Sequence, residues 1–344
     1  MKINEGIHVE EAGFCMLCHS EGKLLYQDLR DRLFGAPGIW SLMRCPKCGL
    51  VWLNPRPIPE DIGKLYETYH THSASNQVPK LAILRRLIRN SILATRLGYT
   101  ELVDGSFQRM LGRFFSWITP IREMAELSVM CLNRQKRGKL LDVGCGSGAF
   151  LAKIKELGWD VVGVEPDRQA VKVAREHFGL NVYEGMLEEV GFPDNEFNAI
   201  TMSHVIEHLY NPVSTLKECY RILKPGGRLV IITPNVESLG ARLFREAWRG
   251  WEPPRHLYLF SPSTLQTLTK KAGLKVIQIR TTARSARWMW AASHLIHHND
   301  ILPGGSPQKV APGLRLAGVA FQVMEHGLCI IRNVGEELIM LATK

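Results

Sequence analysis

From residue 139 onward, short apolar runs alternate with amphipathic ones, and this alternation limits the possible folds more than any other feature of the chain. KLLDVG, DVVGVE, NVYEG, FNAITMS, GRLVIITPN, LKVIQIRTTA and GEELIMLATK read as strands. AFLAKIKELG, RQAVKVAREHFG, NPVSTLKECYRILK and PSTLQTLTKKAG read as helices between them, the third with Asn211 as its cap and Pro212 in its first turn. Short apolar strands alternating with helices predict an α/β, doubly wound, mostly parallel seven-stranded sheet covered on both faces.

The first predicted strand runs into a glycine loop, LLDVGCGSGAFL, with Gly144, Gly146 and Gly148 ahead of a helix. Glycines here let the backbone turn sharply and lie against a ligand beside a helix N-terminus. The spacing is not the G-x-G-x-x-G of dinucleotide sites, because the third glycine arrives one residue early. The second predicted strand closes on Glu165, where a carboxylate can accept hydrogen bonds from both hydroxyls of a ribose.

Together LDVGCGSGAFL, VGVEPD, FPDNEFNAITMSHVIEHL and LKPGGRLVIITPN resemble the class I S-adenosylmethionine-dependent methyltransferases, over roughly residues 120–344. The resemblance implies a Rossmann-like fold for residues 137–344 and S-adenosyl-L-methionine as cofactor. It implies that Gly144, Gly146 and Gly148 border the methionine part, that Glu165 holds the ribose, and that Met186 and Leu187 flank the adenine. Asp142, Cys145, Pro166 and Ser203 complete the implied cofactor lining. Two positions depart from the pattern. Met186 stands where many relatives carry an acid, and Asn198 replaces a frequent aspartate.

Ahead of this region lie two C-x2-C pairs, Cys15/Cys18 and Cys45/Cys48, with 26 residues between them. In a reducing compartment four thiolates at this spacing predict a tetrahedral, structural Zn2+ site, with Gly49 allowing the turn after Cys48. A closed four-cysteine shell leaves no position for substrate, so this metal folds a small ribbon, placed at residues 10–56. His19 and His70 have weaker spacing and read as bystanders. The ribbon followed by CGLVWLNPRP resembles zinc-ribbon methyltransferases encoded among bacterial polysaccharide and sugar-modification enzymes. That resemblance implies a ribbon that docks on the catalytic domain or serves its acceptor side.

Residues 57–136 read as a helical linker and cover region, with a short helix at EDIGKLYETYH and a polar SASNQVP linker. Leu81, Leu84, Ile88 and Ile92 recur at helical spacing, as do Phe107, Leu111, Phe114, Ile118 and Ile121. These stripes are expected to cover the catalytic domain, touch a membrane surface or help shape a substrate pocket, core packing being the commonest fate of such stripes. Residues 79–137 hold eleven Lys/Arg against four Asp/Glu, within a chain of net charge +10. Such a belt suits phosphate-bearing partners: nucleic acid, nucleotide-sugars or an anionic lipid surface. A helical insertion is expected at 284–333, containing ASHLIHHND. The N-terminus lacks the order of a secretory signal, so a cytoplasmic protein is expected, with peripheral contact at the inner membrane face open to the basic belt and the insertion.

Methyl transfer from a sulfonium needs an aligned nucleophile and, for a hydroxyl, a group that takes its proton. His204, His208 and His256 are the candidate bases, at the carboxyl ends of predicted strands where open parallel sheets bind ligands. The H-x-x-E-H spacing of His204, Glu207 and His208 is similar to the metal-binding acidic motif of some quinone O-methyltransferases, with His in place of the first Glu. Arg249 and Arg255 are placed to grip an anionic acceptor, and Trp248 and Trp251 to stack on a sugar ring or pack in the core. The expected activity is methylation of a hydroxyl on a small-molecule or lipid-linked glycan acceptor. The alternative is RNA methylation, with the ribbon and the basic belt binding nucleic acid.

Overall fold

The structure, a computed structural model, describes residues 2–66, 80–298, 311–329 and 331–344. His70, SASNQVP and the last two residues of ASHLIHHND lie outside the described residues.

The chain opens with β1 (Lys2–Asn4) and β2 (Ile7–Glu10), the ribbon strands β3 (Lys23–Leu29), β4 (Trp40–Arg44) and β5 (Val51–Leu53), and a short β6 (Arg56–Pro57). Helices α1 (Lys80–Arg96), α2 (Ser106–Ser116) and α3 (Thr119–Leu127) follow. Strand and helix then alternate through β7 (Lys139–Val143), α4 (Ala149–Glu156), β8 (Asp160–Glu165), α5 (Arg168–Phe178), β9 (Asn181–Glu184) and α6 (Leu187–Val190). The alternation continues with β10 (Phe197–Ser203), α7 (Pro212–Ile222) and β11 (Leu223–Pro234). The remainder is α8 (Leu239–Phe244), β12 (Tyr258–Leu259), α9 (Pro262–Lys271), β13 (Lys275–Thr282), α10 (Ala286–His297), α11 (Pro312–Cys329) and β14 (Glu337–Thr343).

Seven strands form one sheet in the order β13-β14-β11-β10-β7-β8-β9, as the alternation predicts. The β10–β7, β7–β8 and β8–β9 pairings are parallel. Leu140, Leu141, Val162 and Val164 are all buried, which is why these strands read as apolar runs without a period of two. The helix starts follow local chemistry. Asn211 Oδ1 accepts from Ser214 N at 3.1 Å, the predicted cap, and Asp167 Oδ1 accepts from Gln169 N at 2.8 Å to open α5.

The chain divides into two compact units. The first, the ribbon unit, comprises Met1–His70, His204–Leu216 and Ile231–Met340. The second, the glycine-loop unit, comprises Thr71–Ser203, Lys217–Val230 and Leu341–Lys344. In the ribbon unit a second sheet runs β12-β5-β4-β3, so the ribbon takes its fourth strand from Tyr258 and Leu259, paired antiparallel to Trp52 and Val51. Its core holds Trp40, Leu42, Leu50, Trp52 and Leu53, each almost wholly buried. In the glycine-loop unit, α1, α2 and α3 form a helical subdomain ahead of β7. Among the described residues no helix is long and apolar enough to cross a membrane.

Candidate active site

In the glycine-loop unit, β7 delivers the chain into a loop where Gly144, Gly146 and Gly148 all have positive φ (69°, 54° and 81°). Gly148 needs glycine twice over: it is left-handed at the start of α4, and a Cβ there would lie 2.6 Å from Leu180 Cδ1. Around Gly146 there is open space. The Glu165 carboxylate is fixed from two sides, Oε2 accepting from Gly146 N at 2.8 Å and Oε1 from Asp167 N at 3.0 Å. It is thus tied to the loop whose backbone it faces, before any ligand arrives. Asp142, buried at the end of β7, accepts a 2.6 Å hydrogen bond from Thr201 Oγ1. Burial pushes its carboxyl up to about 7 against the help of Thr201, and Glu165 adds to the rise. Cys145 turns into the core, where burial pushes its thiol well up. Pro166 and Ser203 are exposed, Met186 is 39% exposed, and Leu187 is buried with its side chain in the core.

In the ribbon unit the two knuckles repeat one geometry. His19 N donates to Cys15 O at 2.8 Å, and Gly49 N to Cys45 O at 3.0 Å. His19 (φ 55°) therefore fills the left-handed position that Gly49 (φ 82°) fills in the second knuckle. The four sulfurs cluster, with Cys18–Cys45, Cys15–Cys48 and Cys18–Cys48 separations of 3.3, 3.5 and 3.9 Å. Thiolates about 2.3 Å from a tetrahedral zinc stand about 3.8 Å apart, so the donor set fits that ion.

The same unit gathers the candidate bases. His204, itself left-handed (φ 56°), lies 2.8 Å by Nε2 from Glu337 Oε1 and 3.3 Å by Nδ1 from Glu207 Oε1. Desolvation opposes the charge of this partly exposed ring, but Glu207 and Glu337 prevail and raise it to about 10, which favours the charged imidazolium. Glu207 is fully buried; its Oε2 accepts from Thr233 Oγ1 at 2.9 Å, while Oε1 has no aligned hydrogen-bond donor among the described residues. Burial pushes Glu207 up, yet the His204 partner outweighs it and leaves the carboxyl lowered to about 2. His208 Nδ1 pairs with Arg255 O at 3.0 Å and His256 Nδ1 with Gly250 O at 2.8 Å, which directs the Nε2 lone pair of each ring away from the backbone. Burial lowers His256 to about 4, so it is neutral. One donor atom each from Glu207, His208 and His256 lies within 4.8 Å of the others, and two imidazoles anchored through their far nitrogens to carbonyls are a common metal-ligand support.

Two expectations for this rim change, and the core alternative holds for the two tryptophans. Arg255 is fully buried, clamped by Asp31 at 2.9 and 3.0 Å and by Glu252 at 3.1 Å, so it cannot grip an acceptor. Arg249 pairs with Glu252 at 2.6 Å and covers the Trp288 ring at 4.5 Å. Trp248 and Trp251 are buried and packed edge to face at 4.9 Å, with Trp248 Nε1 donating to Glu336 at 2.8 Å; they build core and present no stacking platform. Sequence reading missed Asp31, Glu252 and Glu337, whose acidity alone carries no positional signal.

Residues 117–279 match the family described as "Methyltransferase domain". The chain is 30% identical over 167 residues to the ubiquinone biosynthesis O-methyltransferase of Cereibacter sphaeroides, covering 45% of this chain and 68% of that protein. It is 31% identical over 178 residues to the mitochondrial ubiquinone biosynthesis O-methyltransferase of Rattus norvegicus, covering 46% of this chain and 52% of that one. The chain thus spans about half the length of the mammalian relatives it matches. A solved S-adenosylmethionine-dependent methyltransferase from Archaeoglobus fulgidus aligns at TM-score 0.44 and 20% identity, over 70% of this chain and all of that one. The matched region contains the glycine loop, Glu165 and the parallel strands that carry them, and the chain belongs to the class I S-adenosylmethionine-dependent methyltransferases.

Proposed function

We propose that the chain is an O-methyltransferase acting on a small hydroxylated acceptor. The acceptor oxygen attacks the methyl carbon of S-adenosylmethionine, the carbon–sulfur bond breaks to leave S-adenosylhomocysteine, and the hydroxyl proton passes to a general base. Gly144, Gly146 and Gly148 would border the cofactor's methionine portion, and Glu165, already oriented by two backbone amides, would accept the ribose hydroxyls. By the resemblance, Asp142, Cys145, Pro166, Met186, Leu187 and Ser203 would complete the cofactor lining.

The observation that carries the oxygen acceptor is Glu207, a fully buried carboxylate with one oxygen lacking an aligned donor. This oxygen is paired in charge with His204 at 3.3 Å but accepts no aligned hydrogen bond, which leaves it capacity to meet a hydroxyl or a cation. The relatives' naming for O-methylation supports the same atom class. A second reading is favoured by the donor set: two imidazoles and a carboxylate within 4.8 Å suit a divalent cation. A cation there would lower the pKa of a coordinated acceptor hydroxyl. Zinc on Cys15, Cys18, Cys45 and Cys48 would hold the ribbon and supply no chemistry.

The test is incubation with trideuteriomethyl-labelled S-adenosylmethionine and, in parallel, hydroxylated small molecules, lipid-linked glycans and total RNA, followed by mass spectrometry. Label on a small-molecule oxygen, with Glu207→Gln lowering kcat roughly 100-fold while leaving cofactor affinity intact, is expected. Label confined to RNA or to a nitrogen, or an unchanged kcat in Glu207→Gln, overturns the reading. A glycan oxygen as the sole labelled acceptor would restore the acceptor class that the ribbon's resemblance implies.

A further inference from the structure

The helical subdomain of the glycine-loop unit presents an apolar face that no described residue of the subdomain covers. Helix α2 packs on α1 through Gly112, where a Cβ would lie 2.1 Å from Ser91 O, so the smallest residue sets the closest approach. Phe107, Met110, Phe114 and Trp117 fall within one 80° sector on the other side of α2. They are 65%, 58%, 65% and 87% exposed. Ile118 and Met124 are exposed as well, and Ile83 and Leu84 near the start of α1 are more than half exposed. Of the stripe read from the sequence, Phe107, Phe114 and Ile118 are exposed while Leu111 and Ile121 are half-buried. The four α2 side chains alone expose apolar area on the order of 500 Å², as large as the biggest patch on a typical soluble monomer.

The charge around this face selects its partner. Arg85, Arg86, Arg109 and Arg113 pair with no carboxylate among the described residues, and all four are exposed. Arg109 and Arg113 lie on α2 along one flank of the apolar sector, between it and the Gly112 packing face. An apolar sector ending in a tryptophan and flanked by unpaired arginines has the chemistry of a helix lying in a bilayer interface. A second copy of the same surface would bring like charges together, and RNA would leave the aromatic sector wet. We propose that α2, with the adjoining ends of α1 and α3, docks on the surface of an anionic lipid bilayer, Phe107, Met110, Phe114 and Trp117 entering the headgroup boundary and the arginines meeting lipid phosphates. The proposal is independent of the acceptor assignment.

The full chain is sedimented with vesicles of phosphatidylcholine alone and of phosphatidylcholine mixed with phosphatidylglycerol. Binding to the anionic vesicles, weakened by raising salt to about 1 M, is expected. Phe114→Glu and Phe107→Glu should each weaken it roughly tenfold or more. The tryptophan emission should shift to the blue on binding, and Trp117→Phe should remove that shift. Retained S-adenosylmethionine binding in the glutamate variants shows that they are folded. Wild-type protein left in the supernatant with anionic vesicles overturns the proposal, as does equal sedimentation of the glutamate variants. Binding to RNA that both glutamate substitutions leave unchanged, without vesicle binding, assigns the arginines to nucleic acid. A concentration-dependent dimer abolished by Phe114→Glu, without vesicle binding, assigns the face to a second copy.

Discussion

Asp31→Asn is the substitution whose consequence follows most directly from the structure. Asp31 and Arg255 have no side-chain exposure, and they join through two charge-assisted hydrogen bonds of 2.9 and 3.0 Å. Asp31 also organises its own turn, accepting from Leu33 N at 2.9 Å, Phe34 N at 3.1 Å and Ala36 N at 2.8 Å. The amide keeps the size but loses the charge, and it turns an NH2 toward either the guanidinium or those backbone donors. Glu252 is shared with Arg249, so removing the Asp31 charge leaves two guanidiniums on one carboxylate. Breaking a buried pair costs about 3–5 kcal/mol, and we expect that range here. Against a total of about 5–15 kcal/mol this is a large fraction. Urea denaturation followed by tryptophan fluorescence measures it, because Trp248 and Trp251 sit in the same unit as the pair. The double variant Asp31→Leu/Arg255→Met replaces two buried charges with apolar volume, and it should recover most of the loss. A loss under about 1 kcal/mol in Asp31→Asn, or a double variant as damaged as the sum of the singles, would refute the reasoning.

Two further substitutions test separate parts. Cys45→Ser removes one of four converging thiolates, so zinc per chain, read by elemental mass spectrometry, should fall well below that of the parent; parity between the two proteins means there is no four-thiolate site. Asp142 keeps its proton in the folded state up to about pH 7, whereas the unfolded chain releases it near 3.8. The native state then binds the extra proton between those values, so stability falls as pH rises across that window, by up to roughly 4 kcal/mol, and is flat above it. Asp142→Asn should abolish that part of the slope in denaturation curves at pH 4, 5.5 and 7. A slope equal to the parent's would mean that Asp142 ionises normally.

Features that local chemistry dictates were legible in the sequence. The apolar runs became parallel strands because both faces are covered, Asn211 capped its helix, and the two cysteine pairs converged through knuckles whose turns are set within five residues. What stayed hidden depends on partners far away in the chain. His204 reads as an ordinary histidine until Glu337, 133 residues on, is seen 2.8 Å from its ring. Arg255 reads as a surface cation until the ribbon's Asp31 meets it from 224 residues away. The strand pairing of Tyr258 with Trp52 has no signal in a two-residue strand. The α2 stripe had the right helical period and an open destination, because periodicity reports that one face is apolar and does not report what that face meets. In this helix the packing face was marked instead by Gly112.

The central claim is that the loop of Gly144, Gly146 and Gly148, with Glu165 beside it, holds S-adenosylmethionine. Isothermal titration of the cofactor into the parent and into Glu165→Ala tests it most directly. One site in the micromolar range is expected for the parent. Loss of the hydrogen bonds from the ribose to a charged acceptor should weaken the variant by roughly 10- to 100-fold. Absence of binding at millimolar cofactor, or equal affinity in the two proteins, would contradict the account.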